Sequence, residues 1–130
     1  MNIVVLTSIF IPEPIVGAHT AHSIAKALAA RGHKVTVITS FPSRPAGKLY
    51  TGYSRRLYQK EREPAGFDVV RCFSIPSSKS TLLSRFAENI SFGLTAAIYL
   101  LFLSKVDLIY SNTWFIFTSG LMSLTARVRR

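Results

Sequence analysis

Residues 3–39 read IVVLTSIFIPEPIVGAHTAHSIAKALAARGHKVTVIT, and this stretch decides the fold. Ile3 to Thr7 is short, apolar and β-branched, the pattern of a strand buried on both faces. Ser8 to His19 is a loop, marked by Pro12, Pro14 and Gly17. Thr20 to Arg31 is rich in Ala, with Ile24, Ala27, Leu28 and Arg31 at helical spacing. Thr20 is the expected N-cap and Gly32 the expected residue just past the helix end. Lys34 to Thr39 alternates as a second strand. Strand, helix and strand within about 40 residues are the signature of a right-handed parallel crossover.

Outward from this unit, Phe41 to Asp68 reads as long and irregular. It holds Pro42, Pro45, Pro64, Gly47, Gly52 and Gly66, and loops of that length in compact domains are usually functional or mobile. Val69 to Phe73 is a third strand and Ser77 to Ser80 a polar loop. Thr81 to Leu103 is one long helix. In its first half Leu82, Leu83, Phe86 and Ile90 form an apolar face, with Arg85 and Glu88 opposite. Its second half is apolar all round. Val106 to Tyr110 is a fourth strand, and Phe115 to Val128 a last helix beside the basic Arg127, Arg129 and Arg130. This order predicts an α/β fold, a Rossmann-like parallel sheet with helices on both faces. A doubly wound sheet normally continues with more strands, so residues 1–130 read as one incomplete domain with a poorly protected sheet edge.

Hydrophobic residues make up 48% of the 130, which excludes a disordered tail. Sixteen Lys and Arg against six Asp and Glu give a formal charge of +10, which calls for an anionic partner: nucleic acid, a phosphorylated ligand or a membrane surface. The single cysteine, Cys72, permits no internal disulfide and favours a reducing, cytoplasmic setting; its apolar neighbours mark it as a core residue. Met1-Asn2 passes directly into the first strand, unlike a secretory leader. The apolar run Ile90 to Leu103 has 14 residues. That is about 21 Å of helix against a bilayer core of about 30 Å, so it reads as a buried or interfacial helix rather than a span.

Ligands of open parallel sheets bind beyond the carboxyl ends of the strands, at the switch point. The loop Pro12 to His19 lies there. Gly17 lets a ligand approach the backbone, and the following helix offers unpaired N–H groups to an anion. Glu13, the only acid in that loop, is suited to accept a proton or hold a substrate hydroxyl; the alternative is a solvated loop charge. His19 is a candidate to face the cleft. Neither G-x-G-x-x-G nor a P-loop occurs, and no acid follows the second strand, which disfavours dinucleotide binding. His19, His22 and His33 do not form a metal set, and His33 reads as a turn residue. Arg44, Lys48, Arg55, Arg56, Lys60 and Arg62, interleaved with Tyr50, Tyr53 and Tyr58, suit a diphosphate clamp, single-stranded nucleic acid or plain solvation.

The chain resembles the N-terminal domain of family-4 glycosyltransferases of the two-domain GT-B architecture. The resemblance is carried by the strand Ile3 to Thr7 with Phe10-Ile11-Pro12-Glu13-Pro14 and Gly17, and by Ser23 to Thr39 with its Gly32-His33 turn. Val106-Asp107-Leu108-Ile109-Tyr110-Ser111 is similar to a later strand of the family. Phe41-Pro42, Gly47-Lys48-Leu49-Tyr50 and Gly52-Tyr53 resemble a branch that makes bacterial surface polysaccharides. The likeness covers nearly the whole chain. It departs at Val16-Gly17, where relatives often have two glycines, and at Tyr110 and Asn112, where some carry histidines.

The resemblance implies transfer of a sugar from a nucleotide-sugar donor, a co-substrate with no further cofactor or metal. The N-terminal domain of that architecture chiefly holds the acceptor, and the C-terminal donor-binding domain, absent here, would act in cis or trans. Gly17, Ala18 and Thr20 are then expected near the diphosphate, with Glu13 and His19 as catalytic candidates. Arg44, Lys48, Arg55 and Arg56 are expected at a phosphorylated acceptor, with Asn112 and Trp114 beside it. Acceptors of many relatives are polyprenyl-diphosphate-linked. With the apolar helix, Lys79, Arg85, Lys105 and the +10 charge, this suggests peripheral attachment to the cytoplasmic membrane face; the alternative is a core helix packed on both sides. The rival readings are a non-catalytic basic module for nucleic acid or membrane, and an inactive fragment. No nucleic-acid-binding motif supports a specific nucleic-acid partner.

Overall fold

The computed structural model describes residues 1–76, 78, 79, 81–112 and 116–128. Its elements run β1 (Asn2–Leu6), α1 (Val16–Ala30), β2 (Lys34–Ser40), β3 (Tyr58–Glu63), β4 (Phe67–Cys72), α2 (Leu82–Phe102), β5 (Leu108–Ser111) and α3 (Ile116–Val128). The five strands form one sheet in the order β3-β4-β2-β1-β5. All neighbours are parallel except β3 and β4. The α/β fold with a mostly parallel sheet is therefore as expected. The chain winds outward from β1 first through β2 and β4, then crosses back to β5, which puts the switch point between β1 and β5.

Alternate residues of β1 point to opposite faces. Ile3 and Val5 join Phe10, Ala21, Ala25, Val35, Val37, Phe67 and Val69 under α1. Val4 and Leu6 join Ile38, Val70, Phe92, Ala96 and Leu100 under α2, with Met122 of α3. Cys72 lies in this second core, and burial pushes its thiol up to about 12. At pH 8 only about one such thiol in 10,000 is ionised. A thiol reagent is therefore expected to leave the native chain unlabelled at pH 8 and to label it fully in denaturant, as read by mass spectrometry.

Three expectations are corrected. The segment from Phe41 to Asp68 is irregular only to Leu57, for β3 follows, turns at Pro64-Ala65-Gly66 and pairs antiparallel with β4. Gly66 makes that turn with a φ of +96°. In register, Arg62 lies opposite Asp68, bonds it at 2.8 Å and, with Lys60, holds its carboxyl below the usual range. The helix α1 begins at Val16, one turn before Thr20. Thr20 is no cap, and its hydroxyl instead donates back to the Val16 carbonyl at 3.1 Å. Gly32 does follow the helix, with a φ of +84°.

The third correction concerns α2. Thr81 caps it, accepting the Ser84 N–H. The Thr95 hydroxyl donates to the Phe73 carbonyl at 2.7 Å, and the Tyr58 hydroxyl donates to the Thr95 carbonyl at 2.8 Å. Thr95 is thus level with the end of β4, and the preceding turns extend about 20 Å of helix past it. On the apolar face of the first half, Leu82 and Leu83 are 92% and 80% exposed, and Phe86 is also exposed. Glu88 and Asn89, on the other side, are buried. The second half is packed on one side only. Phe92, Ala96, Ala97 and Leu100 are buried, while Leu94, Ile98, Leu101 and Phe102 are exposed, so it is not a core helix with two covered sides. No helix among the described residues is long and apolar enough to cross a membrane.

Candidate functional site

Four connections meet beyond the carboxyl ends of the strands: Thr7–Ile15, Phe41–Leu57, the segment from Phe73, and Asn112. Backbone bonds set their level. The Thr7 N–H donates to Ile38 O at 3.0 Å, and the Asn112 N–H donates to Leu6 O at 2.9 Å. Asn112 therefore stands half-buried at the switch point.

Glu13 is buried. Its Oε1 accepts the backbone N–H groups of Ser43 and Arg44, each at 3.0 Å. It is neither a solvated loop charge nor open to the cleft; it braces the loop after β2. Arg44 then extends from that braced backbone to Glu88 of α2, Nη2 to Oε1 at 2.8 Å. Arg85 takes the other oxygen of Glu88 at 3.1 Å. The Tyr50 hydroxyl donates to the Arg44 carbonyl. Two buried carboxylates thus fasten loop, sheet end and α2 to one another.

Arg71 carries the same function for the neighbouring loops, and the sequence reading passed over it. It is buried at the end of β4. Nη2 donates to Ile11 O at 2.6 Å and Nη1 to Ser40 O at 3.4 Å. The guanidinium lies 5.7 Å from the centre of the Phe10 ring and 5.4 Å from that of Tyr53. Nε is 3.5 Å from Glu61, an ion pair without hydrogen-bond geometry. Burial raises the Tyr53 phenol above its ordinary range. A charge inside the apolar run Val69-Val70-Arg71-Cys72-Phe73 is the sequence signal that marks this residue.

Gly17 stands in the first turn of α1, with open space where a side chain would be. No side chain caps this helix start and no acid lies in its first turn; the Ala18 N–H is taken by the Ile15 carbonyl at 2.9 Å, and the Val16 and Gly17 N–H groups stand ahead of the helical ladder. Ala18 is buried beneath, while His19 and Thr20 are exposed. Lys48, Arg55 and Arg56 are exposed on the loop after β2. Arg55 lines a small hollow of about 10 Å³ with Phe41, Leu49, Phe73, Ser74 and Pro76. That hollow lies at β2 and β4, whereas Gly17 and Asn112 lie at β1 and β5. Two groups result, about 10 Å apart across the strands between them. Trp114 lies outside the described residues. A larger depression, about 500 Å³, borders Ser104–Ile109 at the opposite end of the sheet and is the gap beside edge strand β5.

The acids are segregated from this end. Glu13 and Glu88 are turned inward. Glu61, Glu63 and Asp68 belong to the β3–β4 hairpin, where they meet Arg71, His22, Lys60 and Arg62. Asp107, held below its usual range by the Asn2 N–H, sits at the opposite edge. The carboxyl-end surface therefore presents basic side chains with no exposed carboxylate among them. No group of three or more metal-ligating side chains occurs among the described residues.

The sequence profile of Glycosyltransferase Family 4 matches residues 17–130. No curated protein matches the chain. The matched region takes in α1, all strands after β1, and both later helices, which is most of the sheet and its cover. The chain belongs to Glycosyltransferase Family 4.

Proposed function

We propose that this chain is the acceptor-side part of a GT-B sugar transferase in polysaccharide synthesis. It takes a polyprenyl-diphosphate-linked acceptor at the cytoplasmic face of a membrane. A nucleotide sugar serves as donor, and a C-terminal domain supplied in cis or trans holds it. The observation that carries this reading is the carboxyl-end surface, which carries both basic loops and an uncapped helix start, about 10 Å apart, and from which every carboxylate is withdrawn. A diphosphate is the ligand that such a surface suits.

In this reading Gly17 offers its backbone N–H to the diphosphate, with His19 and the Thr20 side chain beside it; the Ala18 N–H is already bonded to Ile15 O, so Ala18 only packs beneath. Lys48, Arg55 and Arg56 take the acceptor phosphates, and Asn112 and Trp114 flank the sugar. Arg44 and Glu13 keep the loop in place. The test is calorimetric titration with a short, soluble prenyl-diphosphate sugar. Binding is expected, and replacing Arg55 and Arg56 by Ser is expected to weaken it about tenfold or more. Arbitrary single-stranded DNA bound as tightly, with a steep salt dependence, would instead identify a general basic module.

A further inference from the structure

The outer side of α2 carries an unbroken apolar row: Leu83, Phe86, Ile90, Leu94, Ile98 and Leu101. Ile90 is half-buried and the other five are exposed. The five steps of the row average 3.6 residues, the period of the helix itself. A row with that period runs straight along the helix, whereas a helix that wraps a partner uses 3.5. A straight row matches a flat surface. It spans about 27 Å.

The charges beside it have one sign. Lys79 stands just before one end and Lys105 just after the other, while Arg85 is on the opposite side of the helix, paired with Glu88. The only acid of α2, Glu88, is turned inward between Arg44 and Arg85. An exposed apolar row with basic ends, on a helix that does not span, is the composition of an interfacial helix.

We propose that α2 lies flat on an anionic bilayer, with Leu83 to Leu101 as the lipid-contacting row and Lys79 and Lys105, at its two ends, against the headgroups. This rests on the membrane-face part of the proposed function and adds the contact surface and its orientation.

The test is flotation with vesicles of phosphatidylcholine and phosphatidylglycerol. Wild type is expected to bind them and to bind pure phosphatidylcholine weakly. The triple variant L94S/I98S/L101S and the double variant L83S/F86S are each expected to lose about tenfold or more in partition. L57S, an exposed change elsewhere, is expected to leave it unchanged. Polarity-sensitive labels on L83C and on L101C are both expected to shift to the blue on binding. The buried Cys72 does not compete for label. A shift at only one of the two positions overturns the flat orientation. Row variants that float like wild type overturn the assignment of this surface while leaving membrane binding intact. Failure of wild type to float removes the membrane reading itself. A dimer in solution that the row variants dissolve assigns the row to a second copy and overturns the lipid proposal.

Discussion

The Arg71→Ala chain is expected to unfold about 10–20 °C below wild type, as followed by circular dichroism. The substitution takes a buried guanidinium from two carbonyls, Ile11 O and Ser40 O, and leaves Glu61 without its counter-charge. Two hydrogen bonds from a charged donor, worth about 1.5–3 kcal/mol each, are lost, which costs about 3–5 kcal/mol. For a chain of this size each kcal/mol moves the midpoint by about 3–5 °C. The lost stacking on Phe10 and Tyr53 adds to this. Arg71→Lys keeps a charge but loses the planar fork that serves both carbonyls, so about half the loss is expected. A change of under about 3 °C for Arg71→Ala would mean that the three segments hold together without it.

Glu13→Ala is expected to lower stability by about 3 kcal/mol, because two backbone N–H groups lose a charged acceptor worth about 1.5–3 kcal/mol each. The effect should be local first. Trypsin is expected to cut after Lys48 in the variant well before the rest of the chain, and the affinity for a prenyl-diphosphate sugar should fall with it. Glu13→Gln separates the two roles open to this residue. A brace needs only an acceptor oxygen, which the amide keeps, so Gln is expected to restore most of the stability and binding. A proton acceptor needs the carboxylate. If transfer is abolished equally by Gln and Ala while the Gln chain stays stable and binds, Glu13 is acting as a base after all.

The core of the fold is legible because its residues are monotonous. Ile3-Val4-Val5-Leu6 and Val35 to Thr39 can only be strands covered on both sides, and Ala21 and Ala25 only a close helix above them. Strand β3 is illegible for the opposite reason. Tyr-Gln-Lys-Glu-Arg-Glu has no apolar face, since an edge strand needs none. Its charges are satisfied by Asp68 and Arg71 across the hairpin and by His22 of α1, and no local pattern shows that. The row on α2 misled in another way. Leu82, Leu83 and Phe86 have the spacing of a core face, but spacing does not reveal that the sheet ends before the helix does.

The same limit applies at the site. Glu13 in a Pro-rich loop looks solvated, and only the fold brings Ser43 and Arg44 onto it. Asn112 was legible as a loop position after β5, and Gly17 as a position following β1, though it stands in the first turn of α1 and not in the loop. Their separation from Arg55 was not, because it depends on the order in which the strands lie side by side.

The two borders of the sheet are unlike. Along β3 the side chains alternate in sign and are neutralised within their own hairpin, so a foreign strand laid there meets charges it cannot satisfy. Along β5 the outer side of Leu108–Ser111 pairs with no strand among the described residues, and Leu108 and Tyr110 are exposed there. A further strand could therefore be laid alongside β5 but not alongside β3, so any widening of this sheet is one-sided.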